Sequence, residues 1–269
     1  MDERRTSHAA AFFDLDKTII ATSSATAFRR PLQARGVLSR RDVLRGASAQ
    51  LGYLLGPADE VRTERLRAQL SRTVTGWDPE QVSAIVQETL HESIGPTVYA
   101  EAIALIEEHH AAGRDVVVVS ASGEELVRPI GRLIGADQVV ATRMEVVGGR
   151  YTGGIERYVY GQAKADAIVE LSARLGYDLD ASYAYSDSIT DEPMLAAVGH
   201  AFVVNPDRTL RHLAAERGWG VLRFERPVRL RPFGTHPGRA VAGALLLLVL
   251  AVLVTRGLVA ARRRATRAA

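Results

Sequence analysis

The period of the apolar positions divides the chain into regions. "AAAFFDL" (9–15) is almost continuously apolar up to Asp14, which predicts a short buried strand. From 19 to 95 the pattern changes. β-branched runs are few, Arg, Ala, Leu and Glu are abundant, and i, i+4 spacings such as Leu66, Leu70 and Val74 predict helices. Gly36, Gly56-Pro57, Gly76 and Pro79 divide this stretch into several of them. The pattern then alternates. Residues 97–112 read as an amphipathic helix stopped by Gly113, and "DVVVVS" (115–120) as a fully apolar strand. Ser122 and Glu125 have the spacing of a helix capping box. "QVVAT" predicts another strand, and "MEVVGGRYTGG" a hairpin turning at Gly148-Gly149. A helix over 163–175 follows, then strands in "SYAYSD", "HAFVVN" and "WGVLRF".

Strands separated by helices of this length predict an α/β fold, a Rossmann-like parallel sheet with helices on both faces. The core is expected to comprise 9–18 and 96–225, with 19–95 a helical insert after the first strand. Ligands of such sheets sit at the carboxyl ends of the strands.

Composition narrows the chemistry. With no cysteine in 269 residues, disulfides and thiolate metal sites are excluded. The seven histidines lack metal-ligand spacing, so any metal should be a hard ion held by oxygen. The adjacent His109 and His110 close a polar helix face and are expected to be solvated. Of 34 basic residues only Lys17 and Lys164 are lysines. An ammonium is a compact point charge and a guanidinium a planar fork, so a tight site can demand one and refuse the other.

The net charge of +3 is slight, and arginines cluster towards the C-terminus. No aromatics interleave with them, which argues against nucleic acid and for a membrane surface. They flank "AVAGALLLLVLAVLVT" (240–255), whose apolar character resumes to Ala261. Sixteen residues of helix span about 24 Å, short of a hydrocarbon core of about 30 Å. Counting to Ala261 with Arg256 snorkelling makes 240–261 a predicted single-pass transmembrane helix, joined by a linker at 226–239. A buried core helix is the alternative. "MDERRTSH" is too polar for a signal peptide, so the catalytic part is expected in the cytoplasm.

Chemistry gathers at the predicted strand ends. Asp14 and Asp16 end the first strand, Ser120 ends the "VVVV" strand, Asp187 ends the "YAY" strand, and Lys164 opens a nearby helix. Paired carboxylates repel, and burying them is costly without a neutralising cation. Converging on one crevice, Asp14 and Asp187 would share Mg²⁺, with Lys164 beside Asp14.

These stretches resemble the haloacid dehalogenase-like phosphohydrolases. "DLDKT" is similar to their Asp-x-Asp-x-Thr motif, "VVSAS" to the second, "GQAKADAI" to the lysine of the third, and "YSDSITDEPML" to the acidic fourth. The resemblance is closest to subfamily IB, which includes phosphoserine phosphatases and carries a helical cap between its first two motifs. It implies that Asp14 attacks phosphorus to form an aspartyl-phosphate and that Asp16 is general acid and base. It further implies that Mg²⁺ is held by Asp14, the Asp16 carbonyl and Asp187, with Asp191 as ligand or support. Thr18, Ser120, Ala121 and Lys164 would bind the phosphate. Phosphoserine phosphatases carry an acid shortly after the first motif, where this chain has Ser23, which puts phosphoserine in doubt.

The expected protein is a Mg²⁺-dependent phosphomonoester hydrolase tethered to a membrane, acting on a small phosphorylated metabolite or a lipid phosphate. Its rivals are a phosphotransferase or mutase on the same fold, and a non-catalytic membrane-anchored module that binds a phospho-ligand.

Overall fold

The computed structural model describes residues 8–39, 68, 71–225 and 227. The chain runs β1 (Ala10–Phe13), α1 (Ser24–Ala34), α2 (Pro79–Ser93), α3 (Ala100–Ala111), β2 (Asp115–Gly123), α4 (Glu124–Ile134), β3 (Gln138–Val147), β4 (Arg150–Arg157), α5 (Gln162–Leu175), β5 (Tyr183–Ser186), α6 (Glu192–Ala196), β6 (His200–Val204), α7 (Arg208–Arg217) and β7 (Gly220–Leu222). These strands form one sheet in the order β4-β3-β2-β1-β5-β6-β7.

β1 lies centrally because it has no polar face. Ala11 and Phe13 join Val116 and Val118 in one core, beneath Phe28, Ile85, Ile106 and Ile130 of α1 to α4. Ala10 and Phe12 join Val117 and Val119 in the other, beneath Ile168 and Leu171 of α5 and Leu210 of α7. The period-2 alternation thus feeds two helical layers.

The sheet is mixed, which corrects the all-parallel expectation. β4 runs antiparallel to β3. Only Gly148-Gly149 separates them, both at positive φ (58° and 74°), and so short a connection makes a hairpin and no crossover. Residues 71–77 dock on this hairpin: the Gly76 N–H donates to the Tyr151 carbonyl (2.8 Å) and the Tyr151 N–H to the Trp77 carbonyl (3.0 Å). Val74, Met144 and Tyr151 form a small core there, with Trp77 and Ile155 packed against it.

Two local expectations fail. His109 is not solvated; it is 2% exposed. Its Nδ1 accepts from Arg114 Nε at 2.7 Å, which fixes the proton on Nε2, and that N–H reaches Tyr185 Oη at 2.8 Å. Burial, then Arg114, push its pKa down to about 4. His110 does face solvent, bonded to Asp137 at 2.9 Å. Nor does the predicted capping box form. α4 starts one residue later than that box requires, with Gly123 as N-cap and no side-chain cap.

α1 and α2 fall within the stretch read as a helical insert, but Leu66, Leu70 and most of 40–70 lie outside the described residues. So do most of the predicted linker and all of 240–261. Among the described residues no helix is long and apolar enough to cross a membrane.

Candidate active site

The site forms where β1, β2 and β5 end. Asp14 follows β1, and its N–H donates to the Tyr185 carbonyl at 2.9 Å, which adds one residue to the β1–β5 pairing. Lys164 lies in the first turn of α5, 2% exposed against 6% for Asp14. Its Nζ donates to Asp14 Oδ1 at 2.5 Å and to Asp191 Oδ2 at 2.7 Å. The same Asp191 oxygen also accepts from Ser186 Oγ at 2.7 Å. Asp191 therefore holds Lys164 in place, with Oδ2 already occupied.

Charge in the crevice is unbalanced. Four carboxylates (Asp14, Asp16, Asp187, Asp191) face one buried ammonium. Burial raises the Asp14 pKa well above the usual carboxylate range; Lys164 opposes this, while Asp191, Asp187 and Asp16 add to it. Asp187 is raised to about 6, chiefly by burial, with Lys17 pulling it down and Asp191 pushing it up. Burial works against the charged form of Lys164, yet Asp14 and Asp191 outweigh it and raise its pKa.

Thr18 is fully buried and ties the first motif to the fourth. Its Oγ1 accepts from the Asp187 N–H at 3.0 Å and lies 3.4 Å from Asp187 Oδ1. Lys17 has a left-handed backbone (φ 64°), and its exposed side chain is near enough to Asp187 to favour that group's ionisation.

A bulge shapes the end of β2. Ser120 pairs with Ala141, but the next pairing is Gly123 with Thr142, so Ala121 and Ser122 leave the ladder. This takes Ala121, a predicted phosphate-binding residue, out of strand pairing. Ser120 stays buried, and its Oγ accepts from the Ser122 N–H at 3.2 Å. Ser122 turns towards Asp16, its Oγ donating to Asp16 Oδ2 at 3.0 Å. The other Asp16 oxygen accepts from the Ser24 N–H at 2.8 Å, and Ser24 Oγ donates to Ser122 Oγ at 2.8 Å. That bulge redirects the side chain expected to cap α4.

All the predicted residues thus meet at one end of the sheet. Sequence reasoning missed Ser24, Ser122 and Ser186, the serines that hold the charged groups. Only Ser186, directly before Asp187 at a strand end, carried a signal that could have found it. Ser23, at the position noted for its missing acid, is the N-cap of α1, and its Oγ accepts from the Thr26 N–H at 3.2 Å. Among the described residues no three His, Asp or Glu side chains form a ready-made metal cage.

A buried aspartate at a central strand end, braced by a lysine and followed two residues later by a second aspartate, forms an acid-rich site at the carboxyl edge of an α/β sheet. The chain belongs to the haloacid dehalogenase-like hydrolases, whose sequence profile matches residues 11–196. It is 55% identical to an "Inhibition of morphological differentiation protein" of Streptomyces azureus over 264 residues, covering 95% of this chain and 94% of that one. It is 59% identical over 222 residues to a protein of Mycobacterium tuberculosis named as a probable phosphatase, covering 82% and 77% of the two chains. Among solved structures, a phosphoserine phosphatase in apo form has the same fold, with TM-score 0.57, 20% identity, and 82% and 96% of the two chains covered. The chain is a phosphatase-type member of this family.

Proposed function

We propose that the chain hydrolyses a small phosphomonoester through an aspartyl-phosphate on Asp14, with Asp16 as general acid and base. One observation carries this reading: Lys164 occupies Asp14 Oδ1, and no bond to Oδ2 is made among the described residues. Oδ2 is then the oxygen left to face phosphorus.

In the first half-reaction an Asp14 Oδ2–P bond forms as the P–O bond to the leaving group breaks, and the Asp16 proton passes to the leaving oxygen. In the second, a water oxygen bonds to phosphorus, the Asp14–P bond breaks, and the water proton returns to Asp16. Lys164 offsets the charge on Asp14 and on the phosphoryl oxygens in both. Ser120 uses its oxygen as acceptor from Ser122, which leaves its hydroxyl proton for a phosphate oxygen. Ala121, at the β2 bulge, would present its main-chain N–H to another. Thr18 contributes from the same loop, although its hydroxyl is engaged with Asp187.

The residues fit a divalent cation. The donors are all oxygen, and burial first, then the neighbouring carboxylates, raise the pKa values of Asp14 and Asp187 in a site short of positive charge. Mg²⁺ suits such a site because it retains waters and needs only one or two carboxylates plus phosphate. Asp14, the Asp16 carbonyl and Asp187 would hold it, with Asp191 supporting through Lys164. When bound, it would supply charge neutralisation for the phosphate.

The substrate is a small phosphorylated metabolite or a phosphate on a lipid headgroup. Serine is disfavoured as the leaving group, since Ser23 spends its hydroxyl capping α1 and offers no carboxylate to an ammonium. A membrane anchor at 240–261 is supported by its hydropathy and flanking arginines. Such an anchor would keep the site at a bilayer surface.

The test is trapping. Acid quenching during turnover of a generic aryl phosphate with Mg²⁺ should leave phosphate covalently on the wild-type chain, in a form cleaved by hydroxylamine. Asp14→Asn should yield none, and chelation by EDTA should stop turnover. Turnover at the wild-type rate by Asp14→Asn would refute the assignment.

A further inference from the structure

We propose that Ser122 is a positioning residue for the proton transfers of Asp16, and that Ser24 acts through it. The inference rests on the acid–base role given to Asp16 above.

The bonds form a chain of fixed direction. Ser24 Oγ donates to Ser122 Oγ at 2.8 Å, and Ser122 Oγ donates to Asp16 Oδ2 at 3.0 Å. Ser24 is fully buried, and Ser122 is the one acceptor its hydroxyl has among the described residues. It cannot reverse without leaving a buried proton unpaired, and an unpaired buried hydroxyl is costly. Meanwhile the Ser24 N–H, which can only donate, holds Asp16 Oδ1 at 2.8 Å. Both carboxylate oxygens therefore receive donors. These two donors hold the Asp16 carboxyl group in one orientation for the transfer of its proton to the departing oxygen.

Ser122 also ties two parts of the site together. Its N–H holds Ser120 Oγ at 3.2 Å while its hydroxyl holds Asp16. Ser24 opens α1, the first helix of the stretch after the first motif. The general acid is thus braced from both sides, by the β2 bulge and by α1.

The experiment compares kcat/KM for two Mg²⁺-supported substrates, an alkyl phosphate whose leaving oxygen needs a proton and p-nitrophenyl phosphate, whose leaving anion does not. Ser122→Ala should lower the alkyl value about tenfold and the aryl value less than about threefold, the loss of one hydrogen bond to a charged group. Ser122→Thr, which keeps the hydroxyl, should restore most of the alkyl activity. Ser24→Ala should cost the alkyl substrate about threefold, and the double variant no more than Ser122→Ala alone, because the two serines act in series. If Ser122→Ala does not fold, Ser24→Ala carries the comparison, since it keeps the N–H on Asp16. Equal losses on both substrates, or losses that add in the double variant, overturn the proposal. A wild-type chain that hydrolyses neither substrate overturns the phosphatase reading and this inference together, whereas active wild type with an evenly impaired Ser122→Ala overturns only the role of Ser122.

Discussion

Lys164 Nζ and Asp14 Oδ1, 150 residues apart in sequence, lie 2.5 Å apart in the fold. The contact joins the first turn of α5 to the end of β1, so the most buried ammonium of the site sits against the carboxylate expected to attack phosphorus. Lys164 Nζ also reaches Asp191 at 2.7 Å, and all three side chains are nearly inaccessible. A guanidinium is larger and planar, and two carboxylates already contact the ammonium from different elements.

Lys164→Arg should therefore cost at least about 100-fold in kcat/KM for an aryl phosphate, in the range for losing one electrostatic group aimed at developing charge. Lys17→Arg should change it by less than about threefold, since Lys17 is exposed and its charge is retained. Equal effects from the two substitutions would mean that the scarcity of lysine elsewhere in the chain carries no functional information.

The tract 240–261 yields a separate prediction. A bilayer-spanning helix should keep the full chain with the membrane fraction through high-salt and carbonate washes. An attachment made only by the flanking arginines would be released, because exposed charges are screened beyond about 8 Å at physiological ionic strength. A chain ending near residue 230 should stay in solution and still hydrolyse a small aryl phosphate, because Asp14, Asp16, Ser120, Lys164, Asp187 and Asp191 all precede it. Full-length protein that is soluble without detergent would sink the anchor.

The parts of this fold that announce themselves in sequence are those where one residue type has one physical use. "DVVVVS" can only be a strand buried on both faces, and Gly148-Gly149 gives the hairpin its two left-handed residues. The strand-end acids were visible because consecutive elements place them at one sheet edge, and the structure does bring Asp14, Asp187, Asp191 and Lys164 together there. What stayed hidden depends on register. The bulge after Ser120 has no composition of its own, so Ser122 read as a helix cap although its hydroxyl goes to Asp16. His109 reads as solvated from sequence because Tyr185, which it bonds, lies in β5, 76 residues on, and Arg114 reaches it from the turn between α3 and β2. The antiparallel β4 is legible as half of a hairpin, and pairing it with β3 is what makes the sheet mixed.

Gly153 tests how residues 71–77 hold the β3–β4 hairpin. Its φ is +91°, and a Cβ there would clash with Thr75 Oγ1 and lie 3.2 Å from Ser71 Oγ, whose hydroxyl donates to the Gly153 carbonyl. Gly153→Ala combines a strained backbone with displacement of this contact, and should destabilise by about 1–3 kcal/mol in urea unfolding. Gly148→Ala shares the positive φ but meets nothing within 4 Å, so its cost should be limited to strain of about 1–2 kcal/mol. Hydrogen exchange should separate them, with faster exchange of the Gly76 and Tyr151 amides only in Gly153→Ala. Unchanged protection there would mean that the docking does not depend on a bare backbone at residue 153.

His109 gives the protein an acid-sensitive core. Its ordinary pKa is 6.5 and its folded value about 4, lowered first by burial and then by Arg114 and His110. With a depressed folded pKa, the unfolded chain binds the proton first as pH falls. The contribution to stability is therefore complete above about pH 6.5 and is lost progressively down to about 4. A difference of this size corresponds to about 2 kcal/mol lost by pH 5 and about 3 kcal/mol by pH 4. Protonation would also put a second proton on Nδ1, the atom that accepts from Arg114 Nε at 2.7 Å, and set two cations against each other. His109→Gln cannot titrate, so its urea-unfolding free energy should fall less than that of wild type between pH 7.5 and 5, by about 2 kcal/mol. The variant should be the less stable of the two at pH 7.5, since it gives up the paired bonds to Arg114 and Tyr185, and the gap should narrow as the solution is acidified. Parallel pH profiles for the two proteins would show that His109 takes up its proton in the folded state as readily as in the unfolded chain, and the buried neutral imidazole would have to be given up.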